Sequence, residues 1–252
     1  MFTPPPHLSP SSIGTFNQCA LKFKYSKIDM IKDDPTEATL LGNFVHDVLE
    51  NLYKLESQDR THDSAKQIAT ELWDESWFER VKPWVRDGEP MRLFRWKAWW
   101  CIENLWKIEN PQAMTPLGLE HELNGKIAGV TIKGFIDRFS QEGSGYVISD
   151  YKTGKTPKAN WVQDKFFQLV VYSHLLESTG VGKAESVELL YLKDGVSFRQ
   201  DVTEQMLLDV EKQVSEVKEK IDISCETEDF KPTKSILCDW CSYRKVCPAW
   251  RS

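Results

Sequence analysis

Cysteine placement constrains this chain more than any other feature. Cys19 lies near the start, and Cys238, Cys241 and Cys247 lie together near the finish. A Cys, distant Cys-x2-Cys-x5-Cys layout offers four thiolates, a set that suits either Zn²⁺ or a [4Fe–4S] cluster, and spacing alone leaves both open. Either group would tie the C-terminal tail to the N-terminal helix, a closure that unlinked ends would find entropically costly. Three cysteines in a short basic, aromatic tail are harder to explain as buried free thiols, the plainer alternative. Cys101 and Cys225 stand alone and read as structural.

The 252 residues suffice for one α/β domain over 1–252 with a helical insertion at about 60–115. Hydrophobic content of 40% and charged content of 28% are those of a soluble protein. No run approaches the roughly 18 apolar residues that span a bilayer. The opening Met1-Phe-Thr-Pro-Pro-Pro-His7 lacks the basic flank and apolar core of a secretory signal, so a cytoplasmic location with no membrane partner is expected. In a reducing compartment, six cysteines read as metal ligands or buried thiols before disulfides. A formal charge of −6 gives no global attraction for nucleic acid. Local basic groups remain: Lys22, Lys24 and Lys27; Lys155, Lys158 and Lys165; Arg244, Lys245 and Arg251. Each alone also reads as a solvated face.

Ser11 and Ser12 ahead of Ile13, Phe16, Ala20 and Phe23 predict a capped helix with Cys19 on it or at its end. Helical spacing over Leu41–Leu55 places His46 within a second helix. The stretch from about Ala65 to Ile108 is helical in pattern, broken near Pro83, Gly88 and Pro90, and holds seven of the ten tryptophans. Beyond Pro116 the period shortens: Leu117–Leu123, Val130–Phe139 and Tyr146–Tyr151 predict consecutive antiparallel strands. A helix over about Asp164–Glu177 follows, then Val187–Leu192 and Val196–Asp201 around an Asp194-Gly195 turn, then an amphipathic helix opened by Thr203.

Asp150 and Lys152 are two apart on a strand and leave it on one face. Asp137, read as ending the preceding strand, can meet Asp150 across the pair. Two converging carboxylates suit Mg²⁺ or Mn²⁺, and a lysine beside them can position water and offset charge on a phosphate. Asp-x-Lys alone is also what an exposed ion pair looks like. Gln168 and Tyr172, four apart on the next helix, share a face aimed at this end of the sheet. His46 could ligate the metal or simply satisfy a hydrogen bond. Glu120 could add a carboxylate, with Glu122 a rival on the same alternation face.

Taken together, Gly42–His46, Glu120, Gly134-Phe-Ile-Asp137, Asp150-Tyr-Lys152-Thr-Gly154 and Gln168 with Tyr172 resemble the RecB-like nucleases of the PD-(D/E)XK superfamily. The resemblance is to the iron–sulfur members, which include the CRISPR-associated exonucleases and the AddB nuclease domain. Ser12–Cys19 is similar to that family's N-terminal motif, with Ala20 where a proline is common. The resemblance implies a restriction-endonuclease-like α/β fold, a mixed central sheet flanked by helices, with a C-terminal cysteine-rich metal clamp. It implies that His46, Asp137 and Asp150 hold the metal, that Lys152 serves catalysis, and that Gln168 and Tyr172 support the site and DNA. The carbonyl of Tyr151 joins the metal ligands in the expected mechanism. It also favours a [4Fe–4S] cluster over Zn²⁺ on Cys19, Cys238, Cys241 and Cys247.

The expected function is Mg²⁺- or Mn²⁺-dependent exonucleolytic hydrolysis of DNA, on single strands or ends, in repair, recombination or phage or CRISPR processing. Two alternatives stand beside it. One is a non-catalytic DNA-end binding scaffold, and the other a subunit active only with a helicase or a recombination or integration partner; a homo-oligomer is also open. The tryptophan-rich insertion has two readings, core packing or stacking on unpaired bases, and helical spacing favours the core.

Overall fold

The computed structural model describes residues 1–158, 162 and 165–250. Asp164, the expected start of the fourth helix, and Arg251 of the C-terminal basic group lie outside the described residues. Five strands form one sheet in the order β1 (Pro116–Ile127), β2 (Val130–Glu142), β3 (Gly145–Lys152), β4 (Ala184–Tyr191) and β5 (Val196–Asp201). All neighbours are antiparallel except β3 and β4. That exception follows from the connection, since parallel neighbours need a crossover and the segment between them folds as α8 (Phe167–Ser178). The sheet is therefore mixed and flanked by helices, as in restriction-endonuclease-like folds.

Turn chemistry sets the hairpins. Ala128 and Gly129 both have positive φ between β1 and β2, as tight hairpins require, and Gly195 takes φ +66° in the predicted Asp194-Gly195 turn. Strand β1 continues four residues beyond the expected end at Leu123.

Helices cover both faces. Strand β4 shows why: Val187, Leu189 and Tyr191 enter one core while Leu190 and Leu192 enter the other. A strand buried on both sides must read as a continuous apolar run. The first core takes α1 (Pro10–Gln18), α8 and α9 (Glu204–Thr227); the second takes α3 (Glu37–Lys54), α4 (His62–Leu72) and α6 (Glu89–Glu103). The cap of α1 is Ser9, not Ser11 or Ser12: Pro10 occupies the first turn, and Ser9 and Ser12 bond each other's backbone N–H reciprocally. Thr203 caps α9 as expected. Helix α3 starts at Glu37 behind Thr36, earlier than its apolar stripe, because its first turn is polar.

The insertion is helical but segmented, with a π-helical turn over Trp73–Trp77, a short α5 (Phe78–Val81), and α7 (Leu105–Ile108) after α6. Its tryptophans divide between the two readings. Trp73 and Trp77 are core residues, whereas Trp84, Trp96 and Trp100 are 44%, 58% and 40% exposed. No helix among the described residues is long and apolar enough to cross a membrane.

Candidate active site

The site forms where β3 parts from β2. The last rung between them pairs Arg138 with Ser149. One residue further, Asp137 Oδ2 accepts the Tyr151 N–H at 2.8 Å. Asp137 thus lies inside β2 rather than ending it, correcting the expected position; its carboxylate takes over from the ladder and holds the fork open. On the other side, β1 pairs Leu119 with Arg138 and His121 with Ile136, and Glu120 between them adopts φ +43°. A left-handed glutamate breaks the strand's alternation. It settles the rivalry between the two glutamates: Glu120 Oε1 lies 3.9 Å from His46 Nδ1, while Glu122 pairs with Lys133 at 2.7 Å.

Helix α3 delivers the imidazole. His46 Nε2 sits 3.0 Å from the Tyr151 carbonyl oxygen and Nδ1 3.5 Å from Asp137 Oδ2. One turn earlier, a Cβ on Gly42 would stand 3.3 Å from Thr153 Oγ1, so glycine lets the helix approach the strand end closely. Among the described residues, His46, Glu120 and Asp137 are the group of potential ligands whose donor atoms all lie within 4.8 Å of one another.

Asp150 and Lys152 share a face as predicted, with Lys152 Nζ 2.5 Å from Asp150 Oδ2. That oxygen is buried, and the Lys152 ammonium is its partner, so a cation at this carboxylate would share it with the lysine. Gln168 Nε2 bridges Asp150 Oδ1 at 3.4 Å and the Tyr172 hydroxyl at 3.1 Å. A Cβ on Gly134 would fall 2.4 Å from Tyr172 Cε1, so this glycine makes room for the ring.

The electrostatics ask for positive charge. Burial disfavours the His46 imidazolium, yet Glu120, Asp137 and Asp150 outweigh it and raise its pKa to about 9. Burial, reinforced by Asp150, lifts Asp137 to about 7 against the opposing pull of His46. Protons thus occupy the place where carboxylates would otherwise repel each other, a place a divalent cation can take. Burial also works against the Lys152 charge, but Asp150 prevails and holds the ammonium form. Such a lysine can orient water and stabilise an anion; it does not serve as a resting proton acceptor.

Behind the site lies a pair that sequence reasoning missed. Arg138, fully buried, makes a bidentate pair with Glu109, donating from Nη1 at 2.5 Å and from Nη2 at 2.8 Å. Tyr53 also donates to Glu109, and Ser149 Oγ accepts from Arg138 Nη2 at 3.1 Å. Glu109 and Arg138 come from separate elements 29 residues apart, so no local pattern links them.

The cysteines meet at the opposite end of the chain's path. Cys19 caps α1, Cys238 lies in a 3₁₀ turn over Ile236–Trp240, Cys241 caps that turn, and all three line one cavity of about 40 Å³ with Cys247. None is in a disulfide. The Thr233 N–H donates to Cys19 Sγ and the Ser235 N–H to Cys238 Sγ, each at 3.4 Å. The Ser235 backbone bond draws the Cys238 thiol down toward the thiolate. Cys101 and Cys225 are buried elsewhere.

Comparison with known proteins agrees with this geometry. A family model described as "PD-(D/E)XK nuclease superfamily" matches residues 7–248. A crystal structure of a "Putative exonuclease" from Eubacterium rectale superposes with a TM-score of 0.59 at 15% identity, covering 96% of this chain and 89% of that one, and so shares the fold. A second, SSO0001, covers 92% of this chain and 96% of its own at 14% identity, but its TM-score of 0.40 carries no argument. No curated protein sequence matches significantly. With the family model spanning nearly its whole length, this chain belongs to the PD-(D/E)XK nuclease superfamily.

Proposed function

We propose that this protein is a Mg²⁺- or Mn²⁺-dependent deoxyribonuclease acting on single strands or ends, folded as one domain over 1–252. The observation that carries this reading is the convergence of His46, Glu120 and Asp137 beside the Asp150–Lys152 pair. In this reading His46, Asp137, Asp150 and the Tyr151 carbonyl would hold the cation, with Glu120 contributing a carboxylate from its left-handed position in β1. The cation supplies Lewis-acid polarisation of the phosphate and a more acidic water. Lys152, kept protonated by Asp150, orients the water and offsets charge on the phosphate as it is attacked. Gln168 fixes Asp150 through Oδ1, and Tyr172 anchors Gln168 in turn. Cys19, Cys238, Cys241 and Cys247 hold a [4Fe–4S] cluster as a clamp between the chain's ends, placing the protein among the iron–sulfur members of its superfamily. The fit rests on their common cavity and backbone N–H donors.

The test is cleavage of end-labelled single- and double-stranded DNA with Mn²⁺ or Mg²⁺, using protein purified without oxygen, beside Lys152→Ala. Cleavage that disappears in the variant is expected, and the product ladder reports polarity. Equal inactivity in both, with DNA ends still bound, would replace the enzyme with an end-binding subunit.

A further inference from the structure

The exposed indoles of the insertion have no role in the site described above. Trp96 and Trp100 stack with centroids 5.5 Å apart and planes 26° from parallel. Burying one ring against another while 58% of Trp96 stays open leaves a large aromatic surface in water. Trp100 is not free to swing: its Nε1 donates to the Lys193 carbonyl at 3.1 Å, and Asn104 Nδ2 grips the same carbonyl at 3.1 Å. Immediately before Lys193, the Leu192 N–H donates to the Lys152 carbonyl at 2.9 Å. One side-chain and one backbone hydrogen bond therefore index the stacked pair to the residue that ends the candidate catalytic strand.

The pair also stands where two grooves meet. One, of about 850 Å³, runs between the indoles and Thr153-Gly154 with Lys97 and Lys193 on its walls. Its charges balance: Lys97 is paired with Glu37 at 2.8 Å, and Asp194, which accepts the Thr156 N–H at 2.8 Å, stands beside Lys193. The other groove, of about 430 Å³, shares Trp96 and is lined by Lys66, Arg92 and Arg95 with no carboxylate. An open aromatic ring beside a groove lined by cations is the element by which proteins hold unpaired strands: bases stack, and the backbone meets positive charge. A duplex keeps its bases stacked on each other and cannot offer them to an indole.

We propose that Trp96, supported by Trp100, is a base-stacking platform that receives an unpaired DNA strand beside the candidate metal centre, with the phosphates running over Lys66, Arg92 and Arg95. The assignment rests on the nuclease reading for its substrate and adds the residues that hold the unpaired strand.

The test measures binding and cleavage separately. In a Lys152→Ala background with Mn²⁺, Trp96→Ala, Trp96→Phe and Trp96→Lys are titrated against a labelled oligothymidylate of about 16 nucleotides, the upper site size for such surfaces, and against a blunt duplex. Stacking predicts a loss of about tenfold on the single strand for Trp96→Ala, retention within about twofold for Trp96→Phe, and an unchanged duplex affinity. Trp96→Lys decides between stacking and charge: stacking predicts weaker single-strand binding, whereas charge alone predicts tighter. An unmoved thermal midpoint in each variant shows that the fold survives. Unchanged single-strand binding in Trp96→Ala, tighter binding in Trp96→Lys, or equal losses on both substrates would overturn the platform. Cleavage by the Lys152-containing parent is scored alongside. Its absence with the Trp96 effect intact strikes only the nuclease reading, and its presence without a Trp96 effect strikes only the platform.

Discussion

The sheet-end site and the cysteine corner are the two chemically dense regions of this molecule, and they are built in opposite ways. At the sheet end, every group is held by protein: Asp137 by the Tyr151 N–H, Asp150 by Gln168, and His46 by a helix docked through Gly42. At the corner, the C-terminal segment after α9 has only short 3₁₀ turns, and its ties to the N-terminal region include a Tyr243 bond to the Ile31 carbonyl and the Thr233 N–H to Cys19 Sγ. In the reading proposed above, the first region stands ready for its cation, and the second would gain rigidity from a bound cluster. Loss of the bound group should therefore cost activity at one and structure at the other.

Lys152→Ala should give the largest change, a loss of roughly 10²–10³-fold in cleavage rate with no fall in thermal midpoint when Mn²⁺ is present to offset the buried Asp150 charge that the lysine leaves behind. A parallel fall in midpoint would break the contrast. Glu109→Ala tests the frame behind the site directly. It strands Arg138 without its partner, and denaturant titration should show a loss of about 3–5 kcal/mol. Cys241→Ala should lower stability by about 2–4 kcal/mol, the scale of a covalent cross-link between distant residues, with iron content lost and the tail opened to protease. Full stability and metal content in that variant would remove the clamp. Gly134→Ala forces a methyl against Tyr172 and should cost about 1–3 kcal/mol while also slowing cleavage, because Tyr172 supports Gln168.

The smallest effect is one of pH. His46 and Asp137 both bind protons more tightly when folded than unfolded, so without divalent metal they favour the fold at low pH. Their contribution fades as pH rises, from 3.8 to about 7 for Asp137 and from 6.5 to about 9 for His46. Asp137→Asn should flatten the lower window in thermal melts with chelator present, and Mn²⁺ should flatten both by taking the protons' place. A parent midpoint that rises over this range relative to the Asn variant would contradict the sign.

What was legible in the sequence was what repeats locally or sits two or four residues apart. Asp150 with Lys152, Gln168 with Tyr172, the Asp194-Gly195 turn and the cap at Thr203 all depend on short-range geometry. What was not legible depends on backbone exceptions or distant partners. Alternation put Glu120 and Glu122 on one face, and only a left-handed φ separates them. Asp137 read as a strand end, yet β2 continues to Glu142 and only its ladder to β3 stops beside that residue. The tryptophans could not be sorted by helical spacing, since Trp73 in the core and Trp96 in water belong to equally plausible stripes.

Strand β2 sets Asp137 and Arg138 side by side, and both reach α3: Asp137 stands 3.5 Å from His46 Nδ1, while Arg138 lies over the Tyr53 ring and pairs with Glu109. A one-residue slip of β2 in one direction would press a carboxylate against Glu109, and in the other would put a guanidinium among the acidic ligands. Either slip buries a charge without its partner, so the register that assembles the site is also the one its charges favour.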